Sequence, residues 1–325
     1  MPDSEARLCC WPHSAGDCIS GSAATVLIVN AAVVRLGGCE RVRSISASNF
    51  PIIAAATTAA GPHRSYNAMA RTCWAHSLGG CDSLSGEHII SNAIFKHGCG
   101  CPTVIEGVPR IRNGAPTRGA ETSNILCRSH NSMLSPLDEV VGRLSKHLHE
   151  SEDESYSTNI NLRGEMLERW GLKTIINMSA AGWFGRKFEP SPDIVAAIYG
   201  KANLPDGCGL YSVDGVYRNE QGEVRSSVTF TSIYEMRPAG RVLAGGYLAI
   251  HGMPLFFSLG SDVVQRIEAS GAPAIQERLG NQPLRHLYRP GAIVSTRKRG
   301  LPIHVGLSWN GILRYADGTT SEHVD

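Results

Sequence analysis

The sequence predicts an α+β fold: a small metal-stabilised finger, then a β-rich half with a few helices, behind a low-order N-terminal extension. Three observations lead there. The 325 residues include 35 Gly and 17 Pro, too many chain-turning residues for a long helical bundle. Beyond residue 209 the apolar residues fall into short runs that read as strands, at 228–234, 241–251, 255–259, 292–296 and 303–309, with Gly and Pro between them. And between residues 73 and 130 five Cys (Cys73, Cys81, Cys99, Cys101, Cys127) are gathered with His76, His88, His97 and His130. Hydrophobic residues make up 42% of the chain and charged residues 18%, enough apolar material for a core.

Taken in order, residues 1–68 contain no Lys and carry runs of small residues such as Ala54–Ala60. They show neither helical nor strand periodicity. They read as an extension dispensable for folding, with a natural start at Met69. Residues 69–150 form the finger domain. Its last element is a helix starting near Ser135, with Ser135 as cap, Pro136 in the first turn and Asp138 in a capping-box position. Leu137, Val140, Val141 and Leu144 give that helix an apolar face. Residues 151–325 form the second domain, entered through the acidic, Ser-rich stretch 151–157. There Leu162, Met166, Leu167 and Trp170 are spaced as one helical stripe of core residues.

The net charge of +2 and pI of about 8.1 exclude a strongly basic coat but leave room for a local basic groove. Arg71, Arg128, Arg143, Lys146 and the run Arg297-Lys298-Arg299 are the basic residues placed for phosphate contact. No run reaches the roughly 18 apolar residues of a membrane span; the longest, 23–34, carries Thr25 and Asn30. No signal peptide is recognisable, and ten Cys in a chain of this length point to a reducing compartment, the cytoplasm, with Cys as metal ligands or core filler. No phosphate-binding glycine loop is present: Gly98-Cys99-Gly100 is not followed by Gly-Lys-Ser/Thr.

The chemistry-bearing pattern is Cys73-x7-Cys81, then Glu87-His88-Ile89-Ile90, then Cys127-x2-His130-Asn131. Over about residues 73–138 this order resembles the HNH, or ββα-metal, endonucleases. The resemblance implies a hairpin with an acid–His pair on its first strand and a short helix opened by the Cys-x2-His-Asn group. It implies His88 as the general base that activates water, a group whose ordinary pKa suits that task. Glu87 and Asn131 are implied as oxygen ligands of a catalytic Mg2+ or Mn2+. Cys73, Cys81, Cys127 and His130 are implied as a structural Zn2+ knot. The family's central residue, about nine positions before the helix ligand, would be Thr122; Asn124, seven before, takes that backbone-pinning role if the loop is shorter. The long separation of His88 from Asn131 implies an insertion, around 97–118, between the hairpin strands. The first zinc pair departs from the family's Cys-x2-Cys, and His76, Cys99 and Cys101 stand as rival ligands. Cys81 is preferred because Gly79-Gly80 supplies the tight turn of a ligand knuckle.

The expected function is therefore a metal-dependent HNH endonuclease that hydrolyses phosphodiester bonds in DNA, with RNA as the other substrate class. Homo-oligomers are compatible with the sequence, and a role in restriction or phage defence follows by analogy alone. Two rivals stand beside it: a zinc-stabilised nucleic-acid-binding module without cleavage, and a metal-independent β-rich ligand-binding protein. His97, His147, His149, His251, His286, His304 and Cys208 read as structural.

Overall fold

The computed structural model describes residues 26–35, 73–97, 103–106, 116–117, 121–151, 157–183, 189–214, 227–237, 240–270, 285–296, 302–310, 312–314 and 320–322. Statements of number or absence below refer to these residues. The fold is α+β, as predicted. The finger begins at Cys73, turns through a short 3-10 segment at His76–Leu78 and enters strand β2 (Leu84–His88). After a second 3-10 segment, Asn92–His97, the chain returns through strand β5 (Thr122–Cys127), antiparallel to β2. Helices α1 (Arg128–Met133) and α2 (Ser135–Glu150) follow directly.

Two larger sheets make up the rest. The first has eight strands in the order β11-β7-β10-β9-β8-β1-β3-β4. These are β11 (His286–Tyr288), β7 (Gly209–Val213), β10 (Met253–Ser258), β9 (Gly240–Ile250), β8 (Ser227–Arg237), β1 (Val26–Arg35), β3 (Thr103–Glu106) and β4 (Pro116–Thr117). Every pairing in it is antiparallel. The second sheet joins β12 (Ala292–Thr296), β13 (Pro302–Trp309), β14 (Ile312–Arg314) and β15 (Thr320–Glu322), with β6 (Thr158–Arg163) parallel to β13. Helix α3 (Gly164–Ala180) and helix α5 (Val263–Ser270) pack against these sheets, and helix α4 (Pro192–Ile198) packs against α3 and the His76–Leu78 segment.

Alternation along the strands divides the core. Leu255 and Phe257 of β10 face a cluster that also holds Trp170 and Ile175 of α3; Phe256, between them, faces Val263 and Ile267 of α5 with Tyr211 and Tyr247. The α3 cluster includes Cys73, Ile90, Leu126 and Leu144 of the finger as well as Leu307 of β13. Finger and β-rich half thus share one apolar core across residue 150.

Three expectations need amendment. Of the stretch 1–68, the described part is β1, the apolar run at 26–35. It lies between β8 and β3, so removal of residues 1–68 takes a strand from inside the sheet. Leu162 belongs to β6 and not to a helix; α3 starts at Gly164, and only Met166, Leu167 and Trp170 lie on it. Ser135 is not a cap, because α1 runs into α2 through Leu134 in helical conformation, and the carboxylate of Asp138 turns to Lys173 instead. The implied insertion does occur, and its described parts, β3 and β4, add to the eight-stranded sheet.

Candidate metal centre

The knuckle before β2 and the start of α1 bring four donors together. The ligand atoms of Cys73, Cys81, Cys127 and His130 all lie within 4.8 Å of one another. His130 Nδ1 is 3.3 Å from Cys73 Sγ, 3.6 Å from Cys81 Sγ and 3.2 Å from Cys127 Sγ. Zinc held at its usual bond lengths to sulfur and nitrogen in a tetrahedron puts such pairs roughly 3.5 Å apart. The donor set, three thiols and one imidazole, is the borderline-soft set that zinc favours. This cluster could bind a metal ion of the zinc kind, and its four ligands close the shell.

Local sequence explains each position. Gly79 and Gly80 have φ of +73° and +67°, a left-handed pair that returns the chain to put Cys81 beside Cys73. Cys127 ends β5 in extended conformation and caps α1, its Sγ accepting from His130 N at 3.4 Å. The one turn of helix between them places both side chains on one side. Tyr199, just past α4, donates from its hydroxyl to the His130 carbonyl at 3.1 Å and lies edge-on to the imidazole. Cys73, Cys127 and His130 are buried and Cys81 is exposed. Burial pushes the Cys73 thiol up to about 12 and raises that of Cys81, while burial lowers His130. Without metal, burial therefore favours neutral thiols at Cys73 and Cys81 and a neutral His130 ring.

Of the rivals, His76 falls outside it. His76 is exposed and its Nδ1 donates to the Cys73 carbonyl at 3.1 Å. Cys99 and Cys101 lie outside the described residues, as do Arg71 and the run 297–299.

The residues implied as catalytic are arranged differently from the zinc set. Glu87 is 2% exposed, and its Oε1 accepts from Lys173 Nζ at 2.8 Å and from Asn177 Nδ2 at 3.2 Å. Burial raises the Glu87 carboxyl, outweighing the Lys173 ammonium and the Asn177 amide, which pull it down. Lys173 Nζ also donates to Asp138 Oδ1 and Oδ2, at 2.9 and 3.1 Å. Asn177 Nδ2 reaches the His88 carbonyl at 3.3 Å, and its Oδ1 accepts from Trp74 Nε1 at 2.9 Å. His88 ends β2 with its side chain partly open, and alternation sets it on the face opposite Ser85 and Glu87. Asn131 donates from Nδ2 to Ser85 Oγ at 3.3 Å. Asn124 lies exposed on β5, where Asn124 and Ile125 stand opposite the single residue Gly86 of β2. Glu87 and Asn131 thus engage separate partners. Among the described residues, the Cys3His set is the one group of three or more His, Cys, Asp and Glu side chains that converges closely enough for a metal.

Lys173, Asn177 and Tyr199 were not found by reading motifs. One signal existed: Lys173 and Asn177 are spaced i, i+4 inside Trp170–Met178, an otherwise largely apolar run. A cation and an amide on one side of a buried helix need internal partners. Compared with protein-family models, with curated proteins and with solved structures, the chain matches none.

Proposed function

We propose that residues 73–138 form a zinc-stabilised nucleic-acid-binding module of the HNH kind, with DNA as its partner and RNA as the alternative. The observation that carries this reading is the Cys3His cluster, which ties a knuckle, a hairpin and a short helix together in the chain order of the resemblance. A closed four-ligand shell gives the ion a structural role. Basic residues of the module support contact with phosphates. Arg128 is exposed on α1, and Lys96, Arg143 and Lys146 line an open groove with Ser135, Asp138 and Glu139. Asp138, an acid in that groove, is paired with Lys173.

The second reading is the endonuclease itself, and the partly open His88 favours it. In that reading His88 takes the proton of the attacking water at the phosphodiester. The Glu87–Lys173 pair weighs against it, because the acid implied as a metal ligand sits in the core.

Plasmid retention and plasmid nicking by the full chain, with Mg2+ or Mn2+ supplied, separate the two. The binding reading predicts retarded, intact supercoiled DNA, with a salt dependence that weakens by about 0.9 in the log–log slope for each phosphate-contacting cation among Lys96, Arg143 and Lys146 changed to Ala. Nicking by the wild type that His88→Ala abolishes would establish the endonuclease instead. A chain that retains neither DNA nor RNA contradicts both.

A further inference from the structure

We infer that Lys173 is the resident cation of the Glu87–Asp138 carboxylate pair, holding the Glu87 oxygen that the HNH resemblance gives to a divalent ion, and that the pair takes up no Mg2+ or Mn2+ while Lys173 is there. An ammonium has three N–H donors and no acceptor. Here they are met by three carboxylate oxygens: Glu87 Oε1 at 2.8 Å and Asp138 Oδ1 and Oδ2 at 2.9 and 3.1 Å. The Lys173 and Glu87 side chains are 2% and 3% exposed, so water screens little of their attraction.

Asn177, one helical turn after Lys173, brings a second positive end to the same Glu87 oxygen and fixes the His88 carbonyl. Trp74 fixes the Asn177 amide in turn. A Mg2+ ion bonds carboxylate oxygen at about 2.0–2.1 Å. Placed on Glu87 Oε1 it would meet the ammonium with nothing between two positive charges. The carboxylates can accept it only if Lys173 leaves, and Lys173 is buried on α3. The inference goes beyond nucleic-acid binding and does not rest on it.

The test is Mn2+ uptake by the full, zinc-loaded chain, followed by the electron paramagnetic resonance of the free ion. The readout is the uptake that depends on Glu87, taken as the difference between a chain and the same chain with Glu87→Gln. The expected difference is zero for the wild type and one Mn2+ per chain for Lys173→Met, which leaves the two carboxylates facing each other. One equivalent of Glu87-dependent Mn2+ in the wild type overturns the inference. So does a folded Lys173→Met that takes up none. If Lys173→Met does not fold, the wild-type difference still decides. DNA retention is measured separately, so its failure removes the binding proposal and leaves the ion result standing.

Discussion

Three thiols and one ring nitrogen 3.2–3.6 Å from them make a site whose affinity for zinc is set by protons as much as by geometry. Burial holds protons on Cys73 and Cys81 and keeps them off His130. Zinc binds thiolates and neutral imidazole, so binding must expel the thiol protons while the ring has none to lose. The sign follows: apparent affinity rises with pH. With at least the protons of Cys73 and Cys81 leaving, the rise is at least about 100-fold per pH unit near neutrality. Competition against a chromogenic chelator between roughly pH 6 and 8 measures it, and a flat profile would contradict the assigned ligands. At this scale the zinc set was legible, because four ligands in the right order, with two glycines to turn the knuckle, carry their chemistry in their identity. The inward turn of Glu87 was not legible. Its partner, Lys173, stands 86 positions later and belongs to no motif.

Helix α3 is the element that joins the parts. It is buried on nearly every side from Leu167 to Ser179, which is the pattern of a helix inside a core. Its polar exceptions all have work to do. Glu168 accepts from Leu210 N and pairs with Arg289, while Lys173 and Asn177 hold the finger. Gly171 permits close packing: a Cβ there would run into the ring of Phe257 on β10, which is fully buried. Gly171→Ala weighs two effects against each other. Helix propensity favours Ala by about 1 kcal/mol, while overpacking a core costs about 1–3 kcal/mol. The collision is with a fully buried ring, so overpacking should win, with a net loss of up to about 2 kcal/mol. A urea midpoint unchanged or raised in Gly171→Ala would show that the helix and β10 can separate at little cost. The strands β8, β9, β10, β12 and β13 were legible as β-branched and aromatic runs bounded by Gly and Pro. Strand β6 was not, because Thr158–Arg163 alternates too briefly to be told from the helix it feeds.

Across the whole molecule, the finger and the β-rich half are not beads on a string. One apolar cluster holds residues from Cys73 to Leu307, and Trp74, Glu87 and His130 are tied by hydrogen bonds to residues of α3 or to Tyr199 beside α4. Composition suggested a division near residue 150, since acidic and Ser-rich residues there look like a linker. Composition cannot show that the chain on either side packs back on the same helix. For the same reason the run 26–35 looked like a tract of small and apolar residues, while its strand partners, β8 and β3, lie far along the chain. The zinc ion is expected to close the one part of this assembly built on a short knuckle and a six-residue helix, elements too small to stand alone. Zinc K-edge X-ray absorption on the full chain as purified tests this most directly. The account predicts one zinc per chain with three sulfur neighbours at about 2.3 Å and one nitrogen neighbour, and a sulfur count that falls by one in Cys127→Ser if that chain still holds zinc. A chain without zinc, or zinc surrounded only by nitrogen and oxygen, would contradict it.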